Sequence, residues 1–228
     1  MVWLVIIGTF AISFWASARV KSSYRKYARV GTASGMTGAE AAALILRRCG
    51  IGDVEIRAQQ GELTDHYDPL RKRLVLSEAN YHGNSVAAVG IAAHEAGHAI
   101  QHARAYAPLH LRMAAVGATN IASQVVMWLP LIGMFTGHLQ TYTGVLIMAI
   151  GWGVIMAFNL VTLPVEFDAS ARAKKLLLET GIVQAGPEAD GVNRMLGAAA
   201  LTYVAAFLTS FAFFLLHVLP LLTGRRAD

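Results

Sequence analysis

At 228 residues, with 55% hydrophobic side chains, a mean hydropathy of +0.48 and only 14% charged residues, the chain is too apolar for a soluble globule. The formal net charge of +5 and the pI of about 9.6 do not signal nucleic acid, because no recognition motif for it is present. The basic residues Arg19, Lys21, Arg25, Lys26 and Arg29 instead crowd directly behind the first apolar run, where they set topology and favour anionic lipid headgroups. The single cysteine, Cys49, excludes an intrachain disulfide and a cysteine-rich zinc knuckle.

Taken in chain order, the first apolar run, 2–18, carries Trp3 and Trp15 near its ends, and its basic cluster follows instead of preceding it. That order predicts an uncleaved signal anchor and not a removed signal peptide. Thr37-Gly38-Ala39-Glu40 is a capping box that opens an Ala/Leu-rich helix, and Gly50 closes it. Three short strand-like runs follow at 54–60, 62–67 and 73–77, parted by Gly61 and by Asp68-Pro69; they read as a small antiparallel meander. An exposed edge at 62–67 or 73–77 is the expected seat of an extended substrate segment. Asn84 or Ser85 is placed to cap a helix over 86–103.

Further uncharged runs at 113–135, 143–163 and 196–222 are each long enough to cross a hydrocarbon core of ~30 Å. Pro164 is expected to end the third span and to start a separate helix, which closes at Glu179-Thr180-Gly181. Asp190 is expected in a polar loop before the last span. The expectation is therefore a mostly α membrane protein with about four transmembrane helices and a small cytoplasmic α+β portion of zincin type. It divides into an anchor (1–18), a cytoplasmic zincin-like portion (19–112), a transmembrane hairpin (113–163), a cytoplasmic segment (164–195) and a last transmembrane helix with its tail (196–228). Lys and Arg are concentrated in the second and fourth of these, while the loop at 136–141 has none, which puts the active site on the cytoplasmic side. Arg225 and Arg226 then fall outside, against the rule.

The chemistry is concentrated at Ile91-Ala92-Ala93-His94-Glu95-Ala96-Gly97-His98, a His-Glu-x-x-His run on a predicted helix. Spacing of four residues puts both imidazoles on one helical face, a turn apart, where they can grip one zinc ion. Glu95 then stands where it can take a proton from a water that the ion has activated. The small neighbours Ala92, Ala93, Ala96 and Gly97 let another element come close.

Two histidines leave a tetrahedral site one protein ligand short. His102 continues the spacing but stands ~12 Å along the axis from His94 on a straight helix. His110 does not fit the metzincin pattern, whose third histidine falls ten residues after the first, a position held here by Arg104. Glu166, in Leu163-Pro164-Val165-Glu166-Phe167-Asp168-Ala169-Ser170, is the expected third ligand, a carboxylate from a second helix. Asp168 is expected to pair with Arg172 at i+4 instead. Asp190, followed by Gly191, is the alternative that would make the protein a site-2-type intramembrane protease. Tyr203 reads as a packed or interfacial tyrosine before an oxyanion donor.

The runs Asp65-His66-Tyr67-Asp68-Pro69, Gly90 through Gln101, Leu163 through Ser170, and Ala198 through Ala205 resemble the bacterial YugP-type membrane zinc metallopeptidases, and the resemblance extends over most of the chain. It implies a multi-pass endopeptidase of the bacterial inner membrane, with Zn2+ as cofactor and a protein or peptide as substrate. It also implies a distant kinship to HtpX-like and prenyl-protein-processing zinc peptidases. In those relatives the third ligand is a Glu followed four residues later by an Asp; here Ser170 holds that later position. The competing class of function is a non-catalytic scaffold whose zinc only braces two helices. A structural site would be closed by a fourth protein ligand and would not need Glu95.

Overall fold

The computed structural model describes residues 2–61, 64–136 and 141–223. Among the described residues, seven helices and three strands follow one another as α1 (Val2–Tyr27), α2 (Gly38–Arg48), β1 (Glu55–Gln59), β2 (His66–Asp68), β3 (Arg73–Ser77), α3 (Glu78–His82), α4 (Val86–Ala103), α5 (Ala107–Thr136), α6 (Tyr142–Glu179) and α7 (Pro187–Thr223). Most of the expected loop at 136–141, the residues 62–63 of an expected strand, and Arg225 and Arg226 lie outside the described residues.

The chain packs as two units. One comprises Met1–Ala16, Leu111–Leu163 and Thr202–Asp228; the other comprises Ser17–His110 and Pro164–Leu201. Among the described residues, α1, α5, α6 and α7 are long and apolar enough to cross a membrane, so the protein is a mostly helical membrane protein with four candidate spans.

In the first unit the large side chains face outward. Phe10 and Phe14 are 74% and 78% exposed, and Ile121, Leu131 and Ile150 are exposed as well, a surface suited to lipid and not to water. Inside, small residues set the spacing: a Cβ added to Gly151 would lie 2.7 Å from Val126. Trp152 stacks on Phe213 with ring centroids 4.5 Å apart. Asn159 donates its amide to Ser210 Oγ at 3.0 Å and to Ala206 O at 3.2 Å.

The second unit has an ordinary apolar core. Ala41, Ala42, Ile45, Leu74, Leu76, Val86, Val89, Ile100, Leu177 and Ile182 are fully buried in it. The capping box forms as expected: Thr37 Oγ1 accepts from Glu40 N, and Glu40 accepts from Thr37 N. Gly50 closes α2 with φ +75, a backbone conformation that side chains disfavour. Ser85 caps α4 by accepting from Ala88 N.

Four expectations are corrected. The sheet is no antiparallel meander: its order is β1-β3-β2, with β1 parallel to β3 and β2 antiparallel to it. The short runs show which residues extend but not which neighbour each takes. Residues 73–77 are consequently the central strand, paired on both sides, and offer no edge to a substrate; the edges are β1 and β2. Pro164 does not divide two helices, because α6 runs unbroken from Tyr142 to Glu179. A long helix embedded among neighbours tolerates the one backbone bond a proline removes. Finally, Asp190 is not in a loop. It lies in the first turn of α7, which Pro187 opens at the position where its missing N–H costs least.

Candidate metal centre

The site is built in the second unit from α4 and the portion of α6 that begins at Pro164. Their approach is set by small residues: Ala92, Ala93, Ala96, Ala169 and Ala173 are fully buried. A Cβ on Gly97 would lie 2.7 Å from Ala169 O and 3.1 Å from its Cα, so only glycine permits this spacing. The close contact aims Glu166, one turn before Ser170, at the face of α4 that carries both histidines.

His94 Nε2 lies 3.2 Å and His98 Nε2 3.5 Å from Glu166 Oε2. One ligand atom from each of the three residues falls within 4.8 Å of the others, and among the described residues no other trio of His, Cys, Asp or Glu does so. Ligands 2.0–2.2 Å from a tetrahedral zinc stand about 3.4 Å from one another. The two observed separations bracket that edge, so the donor set fits the ion in both chemistry and spacing. Glu166 is only 2% exposed, too deeply set to serve as a solvated helix-terminal charge. Burial opposes a charged His98, but its hydrogen bond with Glu166 and the charges of Glu95 and Glu166 outweigh that, and the imidazole titrates above its ordinary value. The pocket thus favours a cation.

Each histidine has its other ring nitrogen occupied. His94 Nδ1 lies 3.2 Å from Ser170 Oγ, and His98 Nδ1 lies 3.0 Å from Gln101 Oε1. Gln101 donates in turn to Val165 O and to Asp168 Oδ2, both at 2.8 Å. Arg172 holds Asp168 from the far side, with Nε at 2.6 Å. Asp168 therefore makes the expected i+4 pair with Arg172. Glu95 is 8% exposed and makes no hydrogen bond or ion pair with any described residue.

The other candidates are occupied elsewhere. His102 Nδ1 meets Tyr67 Oη at 2.9 Å, and the two line a cavity of about 320 Å³ with Asp53 and Lys72. Burial, followed by the charges of Asp53 and Asp68, pushes the Tyr67 phenol up to about 12. Burial, followed by the charges of His110 and Lys72, lowers the pKa of His102. Asp190 is exposed and outside the cluster. The Asp65–Pro69 run has a structural part: Asp65 accepts from Ser77 N and from Asn80, and Asp68 accepts from Leu70 N and Arg71 N to shape the turn into β3.

Sequence reasoning missed Gln101 and saw Ser170 only as a departure from a pattern. A signal was present for the first. Gln101 follows His98 by three residues on the same helical face, within reach of the ring nitrogen that the metal does not use.

Residues 2–222 match the protein family described as "Putative neutral zinc metallopeptidase". The chain is also 45% identical, over 224 residues covering 96% of each protein, to "Putative membrane protease YugP" of Bacillus subtilis. No solved structure matches it.

Proposed function

The chain belongs to this zinc metallopeptidase family, and from that premise we propose that it is a membrane-bound, zinc-dependent endopeptidase whose ion is held by His94, His98 and Glu166. The observation that carries the reading is the convergence of those three side chains near a buried carboxylate, Glu95, that makes no hydrogen bond or ion pair with any described residue and whose charge acts on His98. A bracing site would be closed by a fourth protein ligand, whereas this trio leaves one tetrahedral position open.

A zinc ion in this position supplies Lewis acidity, polarising the peptide carbonyl and bringing the pKa of a water into the neutral range. The protein's own part is proton movement and positioning. Glu95 accepts the proton of the attacking water as its oxygen bonds to the carbonyl carbon. The same carboxyl then delivers that proton to the amide nitrogen as the C–N bond breaks, leaving a free acid and a free amine. Glu166, His94 and His98 stay fixed throughout, because they are packed between two helices that cannot separate without opening the Gly97–Ala169 contact. The five basic residues behind the first apolar run support a cytoplasmic site in a bacterial inner membrane.

The test is a pair of variants in detergent-purified protein. Glu95→Gln retains zinc and loses kcat by 10²–10⁴-fold, the range for a positioned acid–base group. His94→Ala loses the metal. Elemental analysis decides between roles: a folded Glu95→Gln protein without zinc would make that residue a ligand and sink the assignment.

A further inference from the structure

Resting on the metal assignment above, we infer that Gln101 is a positioning residue that locks His98 into the tautomer presenting Nε2 to the ion, with Asp168 and Arg172 holding Gln101 in place. The amide orientation follows from its neighbours. Val165 O and the Asp168 carboxylate only accept hydrogen bonds, and both lie 2.8 Å from the same Gln101 nitrogen. That nitrogen is therefore the NH2 group, and Oε1 must be the atom that faces His98 Nδ1 at 3.0 Å. An oxygen there can only accept, so Nδ1 carries the proton and Nε2 keeps its lone pair for the metal.

The arrangement has no slack. Gln101 is 0% exposed, so no water replaces a lost partner. Asp168 cannot turn away while Arg172 Nε and Nη2 bond both of its oxygens, at 2.6 and 3.2 Å. Val165 immediately precedes Glu166, so one amide ties a histidine ligand on α4 to the backbone beside the carboxylate ligand on α6. The order runs Arg172 to Asp168, Gln101 to Asp168, His98 to Gln101, with every donor meeting an acceptor.

Removal of a group that orients a ligand in this way costs 10–100-fold in metal affinity. Gln101→Leu keeps the volume and removes the relay, so zinc affinity, measured by competition against a chelator, is expected to fall by about that factor. Gln101→Glu fills the same space but sets a carboxylate against Asp168 and Val165 O, so it is expected to weaken zinc as well, which a merely space-filling Gln101 would not do. One measurement needs no variant: ¹⁵N-histidine NMR of the zinc-loaded protein should show His98 protonated at Nδ1 and metal-bound at Nε2. Zinc bound through Nδ1 of His98, or a folded Gln101→Leu protein that binds zinc as the unaltered chain does while Glu166→Ala loses it, overturns this inference alone. Retention of zinc by Glu166→Ala overturns the metal assignment and this inference together.

Discussion

The two units of this chain solve opposite solvation problems. In the first, large apolar side chains such as Phe10 and Phe14 point outward, and the inside is held by small residues, stacked rings and a few hydrogen bonds from Asn159. In the second, the apolar side chains form a closed core, and Ser170, Gln101, Asp168 and Arg172 join His94, His98 and Glu166 in one continuous polar network. In the lipid-facing unit a polar pair adds a modest increment, because lipid supplies no apolar driving force and the separated helices find other partners. In the site unit the same kind of bond fixes the orientation of the His98 ring. Substitutions should therefore divide by place: those that reach the contact of α4 with α6 at the metal cluster should move zinc affinity and stability together, and those elsewhere, above all in the lipid-facing unit, should move stability alone.

The largest effect is expected at Gly97. An added side chain meets Ala169 backbone that cannot rotate away, so Gly97→Val should cost several kcal/mol, beyond the ~1–3 kcal/mol of ordinary overpacking, and should abolish zinc retention. Thermal unfolding and metal content of the purified protein check both halves; a stable, zinc-replete variant would show that the two helices have room to part. Asn159→Ala comes next. Loss of its bonds to Ala206 O and Ser210 should lower stability by ~0.6–2 kcal/mol and leave zinc affinity unchanged, which sharpens the contrast between the units.

Tyr67→Phe removes the bond to His102 at the edge of the site unit, at a cost of ~1 kcal/mol. Because His102 is outside the metal cluster, the zinc dissociation constant should not move, and a large shift in it would bring His102 back as a ligand. The smallest effect belongs to Phe14→Leu on the lipid-facing surface. A change within ~0.5 kcal/mol is expected there, and a larger one would mean that the exposed ring packs against another protein instead of lipid.

Much of this was legible in the residues themselves. The capping box at Thr37 and Glu40, the helix over Val86–Ala103, the small face of Ala93, Ala96 and Gly97, and the Asp168–Arg172 pair are local, set by interactions no more than four residues apart. Apolar runs of about the length a bilayer needs, the first of them at the short limit of ~17 residues, are equally local, and they identified four helices of membrane-spanning length. Glu166 was legible as a candidate because a two-histidine site lacks one ligand, but its proximity to His94, 72 residues earlier in the chain, was not.

What the tertiary structure alone decided are the contacts between distant segments. The position of Arg73–Ser77 in the middle of the sheet depends on a crossover that alternation within each strand does not encode. The continuity of α6 through Pro164 depends on surroundings that compensate a missing backbone donor, and a sequence shows only the proline. Burial separates Glu166 from Asp190: one carboxylate is packed against two imidazoles while the other faces solvent. The direction of the Gln101 amide depends on two acceptors from α6, which is why the sequence by itself determined the donor types gathered here and only the packing of α4 on α6 determined which nitrogen each histidine turns toward Glu166.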